Sequence, residues 1–522
     1  TVAGRDAGTG LLDAVEGGVD DVKSAFQDPV ASAKASTGLI LAAALIRPQQ
    51  LQKHPPCSTG CATGADIRGW VGVLAQHRKL GLSKEEACTR AWRLLAEVNP
   101  FPATLGRICP HPCEDQCNRA DADGAVAVNA MERFLGDWAL QRRLPLPQTA
   151  HESMPESIGV IGAGPAGLSF AYQMARRGYR VTVYEKEQKP GGMLYYGIPV
   201  YRLPGNVLEA EIARIADLGV ELKLGVAVGK ELDAEQISAS HEVIFLAIGA
   251  GLGLRLGIPG EEGAGAWTGV DYLSRLSRDE PVELGKAVVV VGGGNTAVDA
   301  ARAARRSGAR VTMLYRRTAT EMPAIAREVE DALAEGVEIT FLAAPVEIKR
   351  SDGRIRAVVV QRMALAEPDN SGRRRPVPVP EAQYEMPADC VIAAVSQEPN
   401  WEGLRQLNGG AAWIRAAMDG RLREGLWAGG DVLGLGIAGT AIAQGRLAAE
   451  AVHARLRGLD DQGPDPRPAV TAKAVKADYY PESKPASPQQ LPVAERLAQP
   501  DLEVNQPISE VQFFEEASRC FS

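Results

Sequence analysis

Two glycine-rich turns of the same design constrain this chain more than any other feature. The first, GAGPAG at Gly162–Gly167, follows the apolar run Ile158-Gly-Val-Ile161 and opens a helical stretch to Arg177. The second, GGGNTA at Gly292–Ala297, follows Ala287-Val-Val-Val-Val291 and opens a helical stretch to Arg306. A strand turning tightly into a helix needs residues without Cβ so that a pyrophosphate can approach the backbone. The helix N-terminus then offers N–H groups and partial positive charge to the phosphates. The strands that follow end differently. RVTVYE ends in Glu185, next to Lys186, whereas RVTMLYRR ends in Arg316 and Arg317. An acid about twenty residues past such a turn suits a ribose 2′-hydroxyl, and arginines there suit a 2′-phosphate. The chain is therefore expected to hold two different dinucleotides, the second with a preference for NADP(H) over NAD.

At 522 residues the length allows two to four domains. Alternating strands and helices from about 155 to 456 predict doubly wound α/β structure with two Rossmann-like domains. The expected division is a helical domain over 1–150, one nucleotide turn within 151–255, the other within 256–384, and a further glycine-rich turn and helix within 385–456. Residues 457–522 read as an extended linker tail, ordering again near Ser509. A net charge of −8 argues against a nucleic-acid surface. The longest apolar run, Leu39–Ile46, is too short to span a bilayer. A cytoplasmic chain is expected, with no membrane span and with a homodimer left open.

Six of the eight cysteines fall between Cys57 and Cys117. Cys57-x3-Cys61 and Cys109-x3-Cys113-x3-Cys117 have the short spacing of metal ligands, with an iron–sulfur cluster and zinc both open. Cys88 and Cys390 sit in apolar helix and strand patterns and read as packing residues. No Cys-x-x-Cys lies near the first turn, which argues against a dithiol reductase.

In combination, PFPATLGRICPHPCEDQC, MERF, GAGPAGL, EKEQKPGGMLYYGIPVYRLP, GGGNTAVDAARAARRSGA, YRRTATEMPA and AGGDVLGLGIAGTAIAQGRLAA identify a resemblance. The chain resembles the glutamate synthase small-subunit family of flavin oxidoreductases over roughly 55–455. The resemblance implies a helical iron–sulfur domain over 1–150, an FAD domain in two parts over 151–255 and 385–456, and an inserted NAD(P)H domain over 256–384. It implies FAD on Gly162, Gly164, Pro165, Ala166, Gly167, Glu185 and Lys186. The loop of Gly191, Gly192, Met193, Leu194 and Arg202 would border the isoalloxazine. Gly430 and Asp431 would serve the ribityl chain and pyrophosphate, and Thr440, Ala441 and Ile442 would open the helix behind the flavin. Gly292, Gly294, Asn295, Thr296, Arg316 and Arg317 would hold the nicotinamide dinucleotide.

The same resemblance implies [4Fe–4S] ligation, with Cys61, Cys109, Cys113 and Glu132 on one cluster and Cys57 and Cys117 on another. Positions 48–56 read PQQLQKHPP, so the family's usual preceding cysteine pair is absent. Either one cluster binds, or another ligand such as His54 substitutes. The tail VAERLAQP…EVNQ…EEASRCFS is similar to that of the iron–sulfur flavoproteins accompanying reverse dissimilatory sulfite reductase, and is expected to lead into a ferredoxin-like module. The implied activity is NAD(P)H:acceptor oxidoreduction, with no catalytic acid, base or nucleophile of its own. The implied protein partner is a sulfite reductase, or a glutamate synthase large subunit.

Overall fold

The computed structural model describes residues 53–150, 152–368, 372–460, 468–475 and 480–521. The helical expectation for the first fifty residues falls outside them. All described residues except Lys53 and Pro468 belong to one compact unit.

The valine- and isoleucine-rich run at Ser157–Ile161 becomes the buried centre of a six-stranded sheet. Its order is Arg421–Arg423, Leu426–Ala428, Val243–Leu246, Ser157–Ile161, Arg180–Glu185, Glu221–Leu224. All neighbours pair in parallel except the first two. Continuous apolar strands suit a parallel sheet because helices cover both faces. Helix Pro165–Ala175 buries every residue from Ala166 onward and packs against helix Ala438–Arg457.

A five-stranded parallel sheet is inserted in sequence between strands Val243–Leu246 and Leu426–Ala428. Its order is Ala266–Thr268, Cys390–Ala393, Ala287–Val291, Arg310–Tyr315, Glu338–Phe341. Strand Cys390–Ala393 was expected in the flavin domain but pairs with Ala287–Val291 and with Ala266–Thr268. A four-residue, fully buried apolar run fits the centre of either sheet, and only long-range pairing assigns it. Three antiparallel strands, Ala343–Ser351, Arg354–Pro368 and Arg374–Pro387, form a ribbon beside this sheet.

Ahead of the first sheet lie the helices Ile67–Ala75, Lys84–Ala96, Pro102–Ile108 and Val128–Gln141. Asp66 caps the first, and Ser83 with Glu86 forms a capping box on the second. Trp70, Trp92, Phe101, Leu105 and Met131 fill their core, and Cys88 is buried with them. Buried Glu211, on helix Gly205–Ala216, accepts the N–H groups of Ala103 (2.7 Å) and Thr104 (2.9 Å), joining this layer to the unit of the six-stranded sheet. Among the described residues no helix is long and apolar enough to cross a membrane.

The stretch 480–508, expected as an extended linker, is packed, and the order expected again near Ser509 is a helix. Val504, Ile508, Phe513 and Ala517 are buried, and helix Glu510–Ser518 starts with a capping box from Ser509 and Gln512. Arg496 reaches a buried charge cluster, pairing with Asp331 (3.0 Å) and Glu335 (3.5 Å). Arg302 and Arg306 pair with the same Glu335 (2.7 Å each) and flank the Tyr201 ring. Prolines and charges concealed this packing because its apolar anchors are spaced too widely to show a period.

Candidate functional site

The first glycine turn opens onto a cavity lined by Gly162, Gly164, Pro165, Ala166, Glu185, Lys186, Gly192, Met193, Gly430, Asp431 and Ala441, among others. Gly162 has φ +106°, and a Cβ there would lie 2.3 Å from the Ala247 carbonyl oxygen. Helix Pro165–Ala175 begins without a side-chain cap, as do Asn295–Arg306 and Ala438–Arg457. An uncapped N-terminus leaves its N–H groups for an anion or an electron-rich ring edge. Glu185 accepts the N–H groups of Ala163 (2.7 Å) and Glu187 (3.0 Å). Burial pushes its carboxyl above the ordinary range against those two bonds. Burial likewise raises Asp431, opposed by the Gly436 N–H (3.1 Å).

Not every residue expected at this cavity lines it. Gly167, Gly191, Leu194, Thr440 and Ile442 are not among its lining residues; Gly191, for example, donates its N–H to the Ala163 carbonyl (2.8 Å), and Thr440 is exposed. Arg202 turns away altogether. It forms a buried pair with Asp299 (2.7 Å) and lies 3.3 Å from Glu328, joining the flavin-side loop to the second glycine turn's helix. Two carboxylates held in a dry interface outbid a cavity wall for a guanidinium.

The second turn lines a cavity with Gly292, Gly293, Gly294 and Thr296, joined by Arg255, Arg316, Arg317 and Arg373. Arg317 is buried and donates from Nε to the Arg374 carbonyl (2.7 Å), while Arg316 is exposed. Asn295 is not among the lining residues; its side-chain oxygen accepts the Ile325 N–H (2.9 Å). Arg255 and Arg373 went unnoticed in the sequence, although the run Arg373-Arg-Arg375 is a visible signal. Val270 lines both nucleotide cavities, and Leu435, four residues past Asp431, reaches the second.

A third cavity brings together Cys61, Cys109, Cys113 and Glu132, with His111, Asn129 and Gly439. The His111 N–H points at the Cys109 sulfur (3.3 Å), and Asn99 donates to Glu132 (2.7 Å). Burial raises Cys109 to about 12, with Glu132 adding to it, and raises Cys113 further. Burial also lifts Glu132 to about 8 against the Asn99 hydrogen bond. Such thiols need a cation beside them to ionise. Cys57 and Cys117 are not among the residues lining this cavity. Among the described residues no three His, Cys, Asp or Glu side chains converge on a single metal ion.

The family model described as pyridine nucleotide-disulphide oxidoreductase matches residues 156–446. The chain belongs to this family. A second model, dihydropyrimidine dehydrogenase domain II with a 4Fe–4S cluster, matches 51–144. This oxidoreductase chain is 39% identical over 435 residues to the NADP(+)-dependent formate dehydrogenase subunit beta of Moorella thermoacetica, covering 77% of this chain and 60% of that one. It is 32% identical to the glutamate synthase [NADPH] small chain of Escherichia coli, covering 76% of this chain and 88% of that one. The chain thus spans under two thirds of the formate dehydrogenase relative. In fold it matches FprA of Mycobacterium tuberculosis in complex with NADPH, with a TM-score of 0.51 and 18% identity over 70% of this chain and all of that one.

The oxidoreductase's cofactors are FAD, a nicotinamide dinucleotide and a 4Fe–4S cluster. The residues present fit them. The Gly162 turn has no room for a Cβ, the three uncapped helix ends face the cavities, and three thiols, Cys113 buried and Cys61 and Cys109 half-buried, gather around an acid. No cysteine is among the described residues lining the flavin cavity, although the family takes its name from disulphide chemistry.

Proposed function

We propose that this chain passes electrons between NADP(H) and an iron–sulfur centre through FAD, and exchanges them with a partner protein. One observation carries the reading: the three cavities adjoin in series. Val270 is shared by the nucleotide and flavin cavities. Gly439 and Ala441, in the first turn of one helix, line the cluster cavity and the flavin cavity respectively. A Cβ on Gly439 would lie 2.9 Å from Ala62 Cβ, one residue from the ligand Cys61. Bound there, FAD would supply the conversion between a two-electron hydride and single electrons.

The residues divide the work. Arg316, Arg317 and Arg373 would bind the 2′-phosphate, and the uncapped helix at Asn295 the pyrophosphate. Glu185 would take the FAD ribose hydroxyls and Asp431 the ribityl hydroxyls. Cys61, Cys109, Cys113 and Glu132 would ligate the cluster. The helical iron–sulfur domain, the flavin domain in two parts and the inserted nicotinamide domain are the units of this proposal. Rates of dye reduction with NADPH and NADH test it; failure with both, in protein carrying its full flavin and iron, would overturn it.

For the partner, the finer reading is dissimilatory sulfite reductase in sulfur oxidation, supported by the likeness of the tail to flavoproteins of the DsrL type. The second reading, an electron-input subunit for a glutamate synthase large chain, is favoured by the 88% coverage of the E. coli small chain. Co-purification with each candidate from reconstituted mixtures separates the two.

A further inference from the structure

The first cluster site leaves Cys57 and Cys117 unused, and the chain before Cys57 offers no cysteine. The fold brings these two together. Helix Pro56–Gly60, which carries Cys57, lies so close to helix Pro112–Asp115 that a Cβ on Gly60 would meet Gln116 Cγ at 2.8 Å and the Pro112 carbonyl oxygen at 3.1 Å. Cys117 is the next residue after Gln116.

The C-terminal helix delivers a third thiol to the same place. Arg119, two residues past Cys117, donates to the Arg519 carbonyl, and its guanidinium lies over the Phe521 ring at 5.1 Å. Both chain neighbours of Cys520 are thus clamped to one side chain. Arg519 adds hydrogen bonds to Asp123 (3.0 Å), the Gly124 carbonyl (2.7 Å) and the Ala125 carbonyl (3.0 Å). Asp123 in turn accepts from Arg119 Nε (2.7 Å). Cys57, Cys117 and Cys520 are all half-buried against the same apolar core. The Cys57 thiol is raised to about 12, first by burial and then by the neighbouring Cys520 and Cys117 sulfurs.

We propose that Cys57, Cys117 and Cys520 ligate a second iron–sulfur cluster, with Cys520 of the C-terminal segment replacing the ligands absent ahead of Cys57. Three thiolates occupy three corners of a [4Fe–4S] cube, and the fourth iron takes a non-cysteine ligand, as Glu132 would in the first site. Arg119 and Arg519 supply positive charge beside the thiolates. The cluster staples three segments far apart in sequence, so its assembly requires the docked tail. The proposal rests on the iron–sulfur reading of the first site.

The test is iron, acid-labile sulfide and FAD content of the full chain purified without oxygen, with electron paramagnetic resonance of the reduced protein. Residues 1–522 should carry about eight irons, and their C520S and C57S variants about four, each with FAD retained and with one cluster signal lost. A wild type with about four irons, its Cys520 alkylated by iodoacetamide in the native state, would overturn the second site while leaving the first intact. Unchanged iron in C520S would overturn it as well. Absence of iron altogether would instead sink the reading of the first site.

Discussion

One carboxylate and a set of guanidiniums distinguish the two nucleotide cavities. On the proposed assignment Glu185 would repel a phosphate and accept ribose hydroxyls, and Arg316, Arg317 and Arg373 would do the reverse. Arg316→Ala should lower kcat/KM for NADPH about tenfold, roughly 1.4 kcal/mol, while leaving NADH nearly unchanged. Steady-state kinetics with both nucleotides check this; equal losses would remove the 2′-phosphate from its role. Gly162→Ala should purify with little flavin, because the added Cβ meets the Ala247 carbonyl and the residue is held at φ +106°. Flavin absorbance per chain measures it. Glu211 gives a pH prediction. Burial raises it to about 7, so between its ordinary value and 7 the folded chain holds a proton that the unfolded chain releases. The native state binds more protons in that window, and stability therefore falls as pH rises through it. Thermal unfolding across that range should show this decline in the wild type and a weaker one in Glu211→Gln.

On the proposed electron path, helix Ala438–Arg457 is the element on which electron exit would depend. Its first turn separates the flavin cavity from the cluster cavity, and Gly439 lets it approach Ala62. Gly439→Val should push the Cys61 segment outward. Flavin reduction by NADPH should stay near the wild-type rate in stopped flow, while reduction of the cluster slows severalfold or more. Slowing of both steps equally would place the helix elsewhere in the mechanism. The element's small residues looked in the sequence like a flavin-side helix, and that part was legible. Its second neighbour was not, because contact with Ala62 joins residues nearly four hundred positions apart.

Across the whole molecule, the tail acts as a clasp. Arg496 joins Asp331 and Glu335 on the nicotinamide side, and the Val504 N–H donates to the carbonyl of Tyr201 in the flavin-side loop (3.0 Å). Arg496→Ala would deprive Asp331 of its nearest cation while Arg302 and Arg306 still hold Glu335, so the cost should be about 1–3 kcal/mol, under the roughly 3–5 kcal/mol of a fully broken buried pair. Denaturant unfolding should show that loss; a change below about 1 kcal/mol would make the cluster a surface-like ion pair. The clasp also couples the two nucleotide-binding sheets through Tyr201 and Arg202, which pack on the helix of the second glycine turn.

Local chemistry determined what the sequence could tell by itself. A turn that needs glycine, a strand ending in acid or arginine, and cysteines four residues apart each state a requirement within a few residues, so the two turns and the cysteine block stood out as candidate sites. The resemblance then extended that reading to the flavin and the cluster. Placement over long distance was decided only in three dimensions. Arg202 went to Asp299 instead of the flavin cavity, Asn295 to the Ile325 N–H, and strand Cys390–Ala393 to the nicotinamide sheet. The tail folded back because widely spaced apolar anchors and two buried arginines outweigh its prolines, and it carried Cys520 to Cys57. A side chain's partner across hundreds of residues is set by which surfaces the packed core leaves adjacent, and no local pattern encodes that.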